Sequence, residues 1–259
     1  MRKLLLFSLL CMLLPVAAAA APEGACDGVT VGAADTAAYF PLLRGRRVAV
    51  LANQTSRVGD EHLVDLLHRS GVRLTAIFSP EHGFRGTADA GEHVASSVDE
   101  RTGVLIRSLY DGRTRRPSDE AMRSFDVLLV DMQDVGLRFY TYYISMLRMM
   151  DACADFGRAV VVLDRPNPNG SYIDGPVLDM KYKSGVGALP IPVVHGLTMG
   201  EIARMAVGEG WAKPCDLTVV PCRRYTHATR YELPVAPSPN LPDSEERRVG
   251  KECRSRWSP

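Results

Sequence analysis

No phosphate-cradling glycine motif occurs along the 259 residues: there is neither GxGxxG nor a P-loop, so neither a dinucleotide nor a nucleoside triphosphate is indicated. CxxC, HExxH and comparable zinc spacings are also missing. A metal-dependent hydrolase using carboxylates with His82 or His195 therefore has no strong ligand spacing behind it. No cofactor is called for. There is no dominant charge either. The chain has 31 basic and 30 acidic residues, a net +1, and without the two termini discussed below 24 basic residues face 27 acidic ones. That balance gives no electrostatic case for nucleic acid or an anionic membrane as partner. No internal repeat is present.

Hydrophobic residues make up 46% of the chain, enough for a real core in one large domain or one and a half. Residues 1–21 stand outside that core. Arg2-Lys3 precede an apolar stretch over residues 4–14, Pro15 breaks it, and alanines at 17–21 offer small-residue cleavage sites. This pattern is a secretory signal peptide, cleaved near Ala21 and too short to span a membrane. Cys11 lacks a small residue before it, so no lipoprotein anchor is read. The expectation is an exported protein, periplasmic or extracellular in a bacterium. Residues 22–45 form a lead-in and 46–243 the main domain. Residues 244–259 (SEERRVGKECRSRWSP) show neither helical nor strand period and read as a non-native tail. Five cysteines follow the signal segment, and discounting Cys253 leaves Cys26, Cys153, Cys215 and Cys222. In an oxidising compartment four cysteines allow three full pairings, and the sequence does not choose among them.

Residues 46–53 (RRVAVLAN) read as a first buried strand, ended by the polar Asn53-Gln54-Thr55-Ser56. Asp60 stands where it could cap a helix running to about Arg69, with Leu63, Leu66 and Leu67 on one face and Gly71 as the stop. Residues 74–78 form a second strand. This strand–helix–strand unit implies a parallel sheet with a right-handed crossover. Residues 84–103 look like a long polar excursion. Further strands are expected at 104–110, 127–130, 159–163 and 217–220, the wholly apolar 127–130 being internal. Helices are expected after Ser118-Asp119, over 140–156 before Gly157, and after Thr198, where Glu201 completes a capping-box pattern. Met146, Met149 and Met150, at helical spacing, belong to core packing. Residues 184–194 are a Gly/Pro-rich loop ending at His195-Gly196. The fold class is α/β, a mostly parallel sheet flanked by helices.

Four apolar strands end in a carboxylate within a few residues: Glu81, Asp111, Asp131 with Asp134, and Asp164. Arg85, Arg138 and Arg165 follow on the same side. Strand C-termini of a doubly wound sheet share one edge, so these groups can converge on one crevice. Glu81, with His82 beside it, can act as an acid–base group if burial shifts its carboxyl. Each ending also has a plain alternative: a solvated turn at 79–83, a helix cap at Asp134, a surface pair between Asp164 and Arg165. Together with Asn53, Gln133, Tyr140 and Tyr142, the set suits a polyhydroxylated or anionic ligand such as a carbohydrate.

The motifs FSPEHGFRGTADAGE, SLYDGRTRRP, DVLLVDMQDVGLRFYTY, VVVLDRPNPNG, DGPVL, IPVVHGLTMGEIA and PSPNLP resemble, in that order, the exo-β-N-acetylmuramidases of the NamZ type. This is a glycoside hydrolase family formerly known only as a domain of unknown function. The resemblance runs from about Arg46 to Pro242. It implies a Rossmann-like catalytic domain releasing N-acetylmuramic acid from the non-reducing ends of peptidoglycan fragments. It also implies a smaller C-terminal domain that this sequence lacks. Carried onto this sequence, the PEHG motif makes Glu81 the candidate general acid, with His82 tuning or orienting it. The resemblance further implies that Asp131, Gln133, Asp134, Arg138, Tyr140, Thr141, Tyr142, Asp164, Arg165, Asn167 and His195 line the sugar site, with Asn53, Arg85 and Glu92. An arginine there would clamp the lactyl carboxylate of muramic acid. The second carboxyl stays open among Glu92, Asp131, Asp134 and Asp164, as does the stereochemical outcome. A peptidoglycan-binding protein without catalysis is the alternative.

Overall fold

A computed structural model describes residues 28–80, 84, 97–109 and 116–237. In chain order the elements are α1 (Thr36–Leu43), β1 (Val48–Ala52), β2 (Arg57–Val58), β3 (Glu61–His62), α2 (Leu63–Arg69), β4 (Leu74–Ser79), β5 (Ser97–Val98), β6 (Leu105–Ser108), α3 (Asp119–Arg123), β7 (Val127–Asp131), α4 (Tyr142–Phe156), β8 (Ala159–Leu163), α5 (Met199–Gly208) and β9 (Leu217–Val220). Seven strands form one sheet in the order β5-β6-β4-β1-β7-β8-β9, and β2 and β3 form a separate hairpin. All pairings in the large sheet are parallel except that of β5, which adds an antiparallel edge. Numbering the parallel strands by chain order gives 3-2-1-4-5-6, the Rossmann arrangement. The order reverses between β1 and β7, and ligands in such sheets bind outside the strand C-termini at that switch point.

Alternation along the strands builds two cores, one on each face. Ala49 and Leu51 of β1, Leu128 and Val130 of β7 and Val160 and Val162 of β8 face one cluster, closed by α3, α4 and α5. Val48, Val50, Val127, Leu129, Val161 and Leu163 face the other, closed by Tyr39 and Leu43 of α1 and by Leu63, Val64 and Leu67 of α2. Burying one Leu or Ile side chain contributes about 1.5–3 kcal/mol, so a sheet covered on both faces accounts for the unbroken apolar runs. Met146, Met149 and Met150 are fully buried among them.

Several expectations are corrected. Asp60 does not cap α2: it lies in the two-residue turn of the β2–β3 hairpin, beside Gly59 at φ 58°. His62 caps α2 instead, its Nδ1 accepting the Val64 N–H at 3.2 Å. The helix expected from residue 140 starts at Tyr142, because a preceding turn is closed by the Tyr140 N–H on the Leu137 carbonyl at 2.8 Å. The lead-in holds a helix, α1, and the excursion over 84–103 includes the edge strand β5. The third strand is shorter than expected, Leu105–Ser108. Cys153, Cys215 and Cys222, whose pairing the sequence left open, are free thiols in this structure. Cys26 lies outside the described residues.

Candidate functional site

The loops after β1, β7 and β8, together with residues 193–197, meet at the C-terminal edge around the switch point. β1 leads into Asn53, whose Oδ1 accepts the Thr55 N–H at 3.0 Å and the Thr55 hydroxyl at 2.6 Å. Thr55 Oγ1 in turn accepts the Gln133 N–H at 2.9 Å, and Ser56 Oγ donates to the Asp131 carbonyl. Side chains of the β1 loop thus fix the backbone of the β7 loop across the switch point. Gln133 donates through Nε2 to the carbonyls of Asp134 and Pro166, each at 2.7 Å, tying the β7 loop to the β8 loop.

Two of the carboxylates at this edge are fully engaged. Asp131 and Arg165 form a buried two-point ion pair, Nε to Oδ1 at 2.5 Å and Nη2 to Oδ2 at 2.9 Å, and Nη2 also donates to the Arg57 carbonyl. Burial works against the Arg165 charge, but Asp131 outweighs it and holds the guanidinium protonated. The alternative surface pair between Asp164 and Arg165 is not what forms. Asp164 accepts the Arg165 and Gly200 N–H groups on Oδ1, at 3.0 and 2.8 Å, and the Thr198 hydroxyl on Oδ2 at 2.7 Å. It anchors the start of α5, where Thr198 and Glu201 complete the expected capping box. Burial nevertheless raises Asp164 to about 6, against those three hydrogen bonds.

Asp134 differs. Its Oδ1 accepts the Gly136 N–H at 2.7 Å, an Asx turn rather than a helix cap, while Oδ2 is buried and finds no partner among the described residues. Opposite stands His195, whose Nε2 lies 3.7 Å from Asp134 Oδ1 and is likewise unpartnered. His195 Nδ1 accepts the Leu197 N–H at 3.2 Å, which leaves Nε2 as the protonated nitrogen of the neutral ring. Burial lifts Asp134 to about 7, opposed by the Gly136 and Val135 N–H groups, and lowers His195 to about 4. Between those values both are neutral. Asn53 Nδ2 and Gln133 Oε1 are buried and unpartnered too among the described residues, so Asn53, Gln133, Asp134 and His195 each keep one polar atom in reserve.

The remaining expected residues are placed as follows. Arg138 gives Nη1 to the carbonyls of Pro176 and Ile191, at 2.8 and 2.6 Å. Tyr140 donates to the Pro237 carbonyl at 2.5 Å and packs edge-on against Tyr142, ring centroids 4.9 Å apart. Asn167 is structural: Nδ2 donates to the Leu197 carbonyl and Oδ1 accepts the Asn169 N–H. It presses on Gly136, where a Cβ would sit 2.5 Å from Asn167 Oδ1 and φ is 78°, so only glycine fits there. Glu81, His82, Arg85 and Glu92 lie outside the described residues, as does Asp111. Sequence reasoning passed over Thr55, Ser56 and Gln54 as turn formers, although Gln54 Nε2 reaches the Pro237 carbonyl at 3.1 Å. Their position directly after an apolar strand was the available signal. A cleft of about 700 Å³ lies elsewhere: Arg57, Asp60, Glu61, Asp65, Arg69 and Arg101 line it, with Glu61–Arg69 and Asp65–Arg101 already ion-paired. Among the described residues no cluster of His, Cys, Asp and Glu is arranged to hold a metal ion, and no helix is long and apolar enough to cross a membrane.

Comparison with known proteins agrees with this topology. Residues 48–245 match the family model described as exo-beta-N-acetylmuramidase NamZ, N-terminal. A curated relative, the peptidoglycan beta-N-acetylmuramidase NamZ of Bacillus subtilis (strain 168), is 42% identical over 214 residues, covering 80% of this chain and 51% of the relative. The chain thus spans about half the length of that relative. Two solved DUF1343 family proteins from Bacteroides fragilis NCTC 9343 superpose on it. One has a TM-score of 0.77 and 54% identity, covering 85% of this chain and 59% of its own. The other has a TM-score of 0.72 and 36% identity, covering 78% and 52%.

Proposed function

Since the chain belongs to the NamZ exo-β-N-acetylmuramidase family through its N-terminal domain, we propose that it hydrolyses the β-glycosidic bond of N-acetylmuramic acid at the non-reducing end of peptidoglycan fragments. The B. subtilis relative is named for action on peptidoglycan, and the N-terminal segment over residues 1–21 supports work outside the cytoplasm. The observation that carries the reading is Asp134, a buried carboxyl with one uncommitted oxygen beside a neutral imidazole, at the switch point of a Rossmann sheet.

Glycoside hydrolysis uses two carboxyls, one to protonate the departing oxygen and one on the other side of the sugar. Glu81, two residues past the end of β4, is the candidate general acid. For the second, Glu92 lies outside the described residues; of the other candidates Asp131 is committed to Arg165 and Asp164 to the start of α5, whereas Asp134 keeps an oxygen free among the described residues. A carboxyl near 7 suits proton exchange at neutral pH. In this scheme water attacks the anomeric carbon and gives its proton to Asp134, while the glycosidic C–O bond breaks and its oxygen takes the Glu81 proton. Among the described arginines Arg165 is committed to Asp131, so Arg138, engaged there only through Nη1 on two carbonyls, is the better candidate to meet the lactyl carboxylate.

The test is release of a chromogenic aglycone from its β-N-acetylmuramide, with the matching N-acetylglucosaminide as control and the B. subtilis relative as reference. Turnover of the muramide alone is expected, with kcat falling about 10²–10⁴-fold in Glu81→Gln and in Asp134→Asn. Muramide binding without any turnover by the unaltered chain would favour the non-catalytic binder.

A further inference from the structure

The described cysteines divide between the two ends of one strand. β9 runs parallel to β8, so Cys215 stands before its N-terminal end and Cys222 beyond its C-terminal end. Cys222 is at the edge that carries the candidate site, with Asp164, Arg165 and Asp131 as charged neighbours. Cys153 is at the opposite edge. α4 leaves the C-terminal edge at Tyr142 and returns the chain to the start of β8. Cys153 lies in its last turn, its carbonyl accepting the Arg158 N–H at 2.8 Å.

The segment holding Cys215 is strapped to that same turn. The Lys213 N–H donates to Asp151 Oδ1 at 2.8 Å and the Lys213 ammonium to Asp155 Oδ1 at 2.5 Å. The Val160 N–H donates to the Asp216 carbonyl at 2.8 Å. Cys153 is fully buried in the apolar cluster under α4 and α5, and Cys215 packs against that cluster. Burial raises both thiols; Cys215 adds to the rise at Cys153, and Asp216 and Asp151 add to the rise at Cys215.

We propose that Cys153 and Cys215 are a disulfide-forming pair, a covalent tie between the last turn of α4 and the entry to β9. The structure holds them as free thiols, the reduced state of that pair. Cys222 is excluded as partner for either. Four strand residues alone place roughly 10 Å between the levels of Cys215 and Cys222, whereas bridged cysteines have Cα atoms about 4.4–6.8 Å apart. Of the three pairings the sequence left open, this retains the one that joins Cys153 to Cys215. In forming the bond each thiol gives up its proton, and the two electrons reduce a disulfide donor, which leaves as two thiols. Buried, raised thiols exchange slowly, so the bond closes during folding rather than afterwards. The inference does not depend on the glycosidase reading.

The experiment is refolding of the reduced full chain in a glutathione buffer with the oxidised form in excess. Alkylation then precedes digestion with a protease that cleaves before aspartate. Such a cut falls between Cys215 and Asp216 and so separates Cys215 from Cys222. The expected product is a linked peptide pair carrying Cys153 and Cys215. Tm should rise by about 5–15 °C over the reduced chain. Cys215→Ala, at a half-buried position, should fold and show no such gain. Alkylated Cys153 and Cys215 after oxidative refolding would overturn the proposal, as would a peptide joining either to Cys222.

Discussion

Two acidic side chains three residues apart at the end of β7 meet opposite fates. Asp131 is consumed: both oxygens are held by Arg165, and that guanidinium is itself spent on Asp131 and the Arg57 carbonyl. Asp134 is half used, facing an imidazole it approaches without bonding. The first pair closes the β1, β7 and β8 loops into one rigid platform. The second keeps a proton and hydrogen-bonding capacity in reserve on that platform. A carboxylate at a strand end is therefore not enough to mark a functional group; what marks it is an oxygen the fold has not already claimed.

The largest effect expected from this contrast is on stability. Arg165→Met strands the Asp131 carboxylate in the interior and should cost about 3–5 kcal/mol in urea denaturation. Asp134→Asn at neutral pH should cost far less, since its partner oxygen is already free. Equal costs would erase the distinction between the two carboxylates.

Next comes pH. Asp134 in the folded chain sits at about 7, above the ordinary 3.8, so it adds stability at low pH that is lost as pH rises from about 4 to 7. His195 sits at about 4, below the ordinary 6.5, so its contribution is lost as pH falls through that window. From about pH 4 to 6.5 the folded chain holds one proton more at Asp134 and one fewer at His195, and the two slopes cancel. Single variants should unmask them. Relative to the unaltered chain over that range, stability should rise by about 3 kcal/mol in Asp134→Asn and fall by about 3 kcal/mol in His195→Gln, a difference that leaves out the separate slope from Asp164. Denaturation midpoints across pH give the reading, and unchanged slopes would mean that the couple is not buried as described.

The smallest effect concerns Asp164, which belongs with Asp131 on the consumed side. Thr198→Ala removes both the α5 cap and a donor to Asp164, and thermal unfolding should show a loss of about 1 kcal/mol. A far smaller loss would mean that Asp164 leans little on Thr198.

Legibility followed burial. β8 has the boundaries the sequence suggested, and β4 extends one residue further, because strands covered on both faces are continuous apolar runs between polar ends; the half-buried edge strand β9 also keeps its suggested boundaries. The start of α2 was misread because Gly59-Asp60 serves equally as a hairpin turn and as a helix approach. α1 went unread because Pro41 and a nearly even spread of apolar residues hide its buried side, Tyr39 and Leu43. Asp131, Asp134, Asp164 and Arg165 were all foreseen at strand ends, yet their partners were not. The alternative of a surface pair between Asp164 and Arg165 gave way to a buried one between Asp131 and Arg165, a contact between loops 34 residues apart.

By itself the sequence determined the class of fold, the strand ends as the place where chemistry-bearing residues gather, and the family, since each depends on local pattern and motif order. Only the tertiary structure decided which polar atoms remain available. A hydrogen bond consumes a donor and an acceptor brought together from distant loops, and no local pattern records which atoms the packing leaves over.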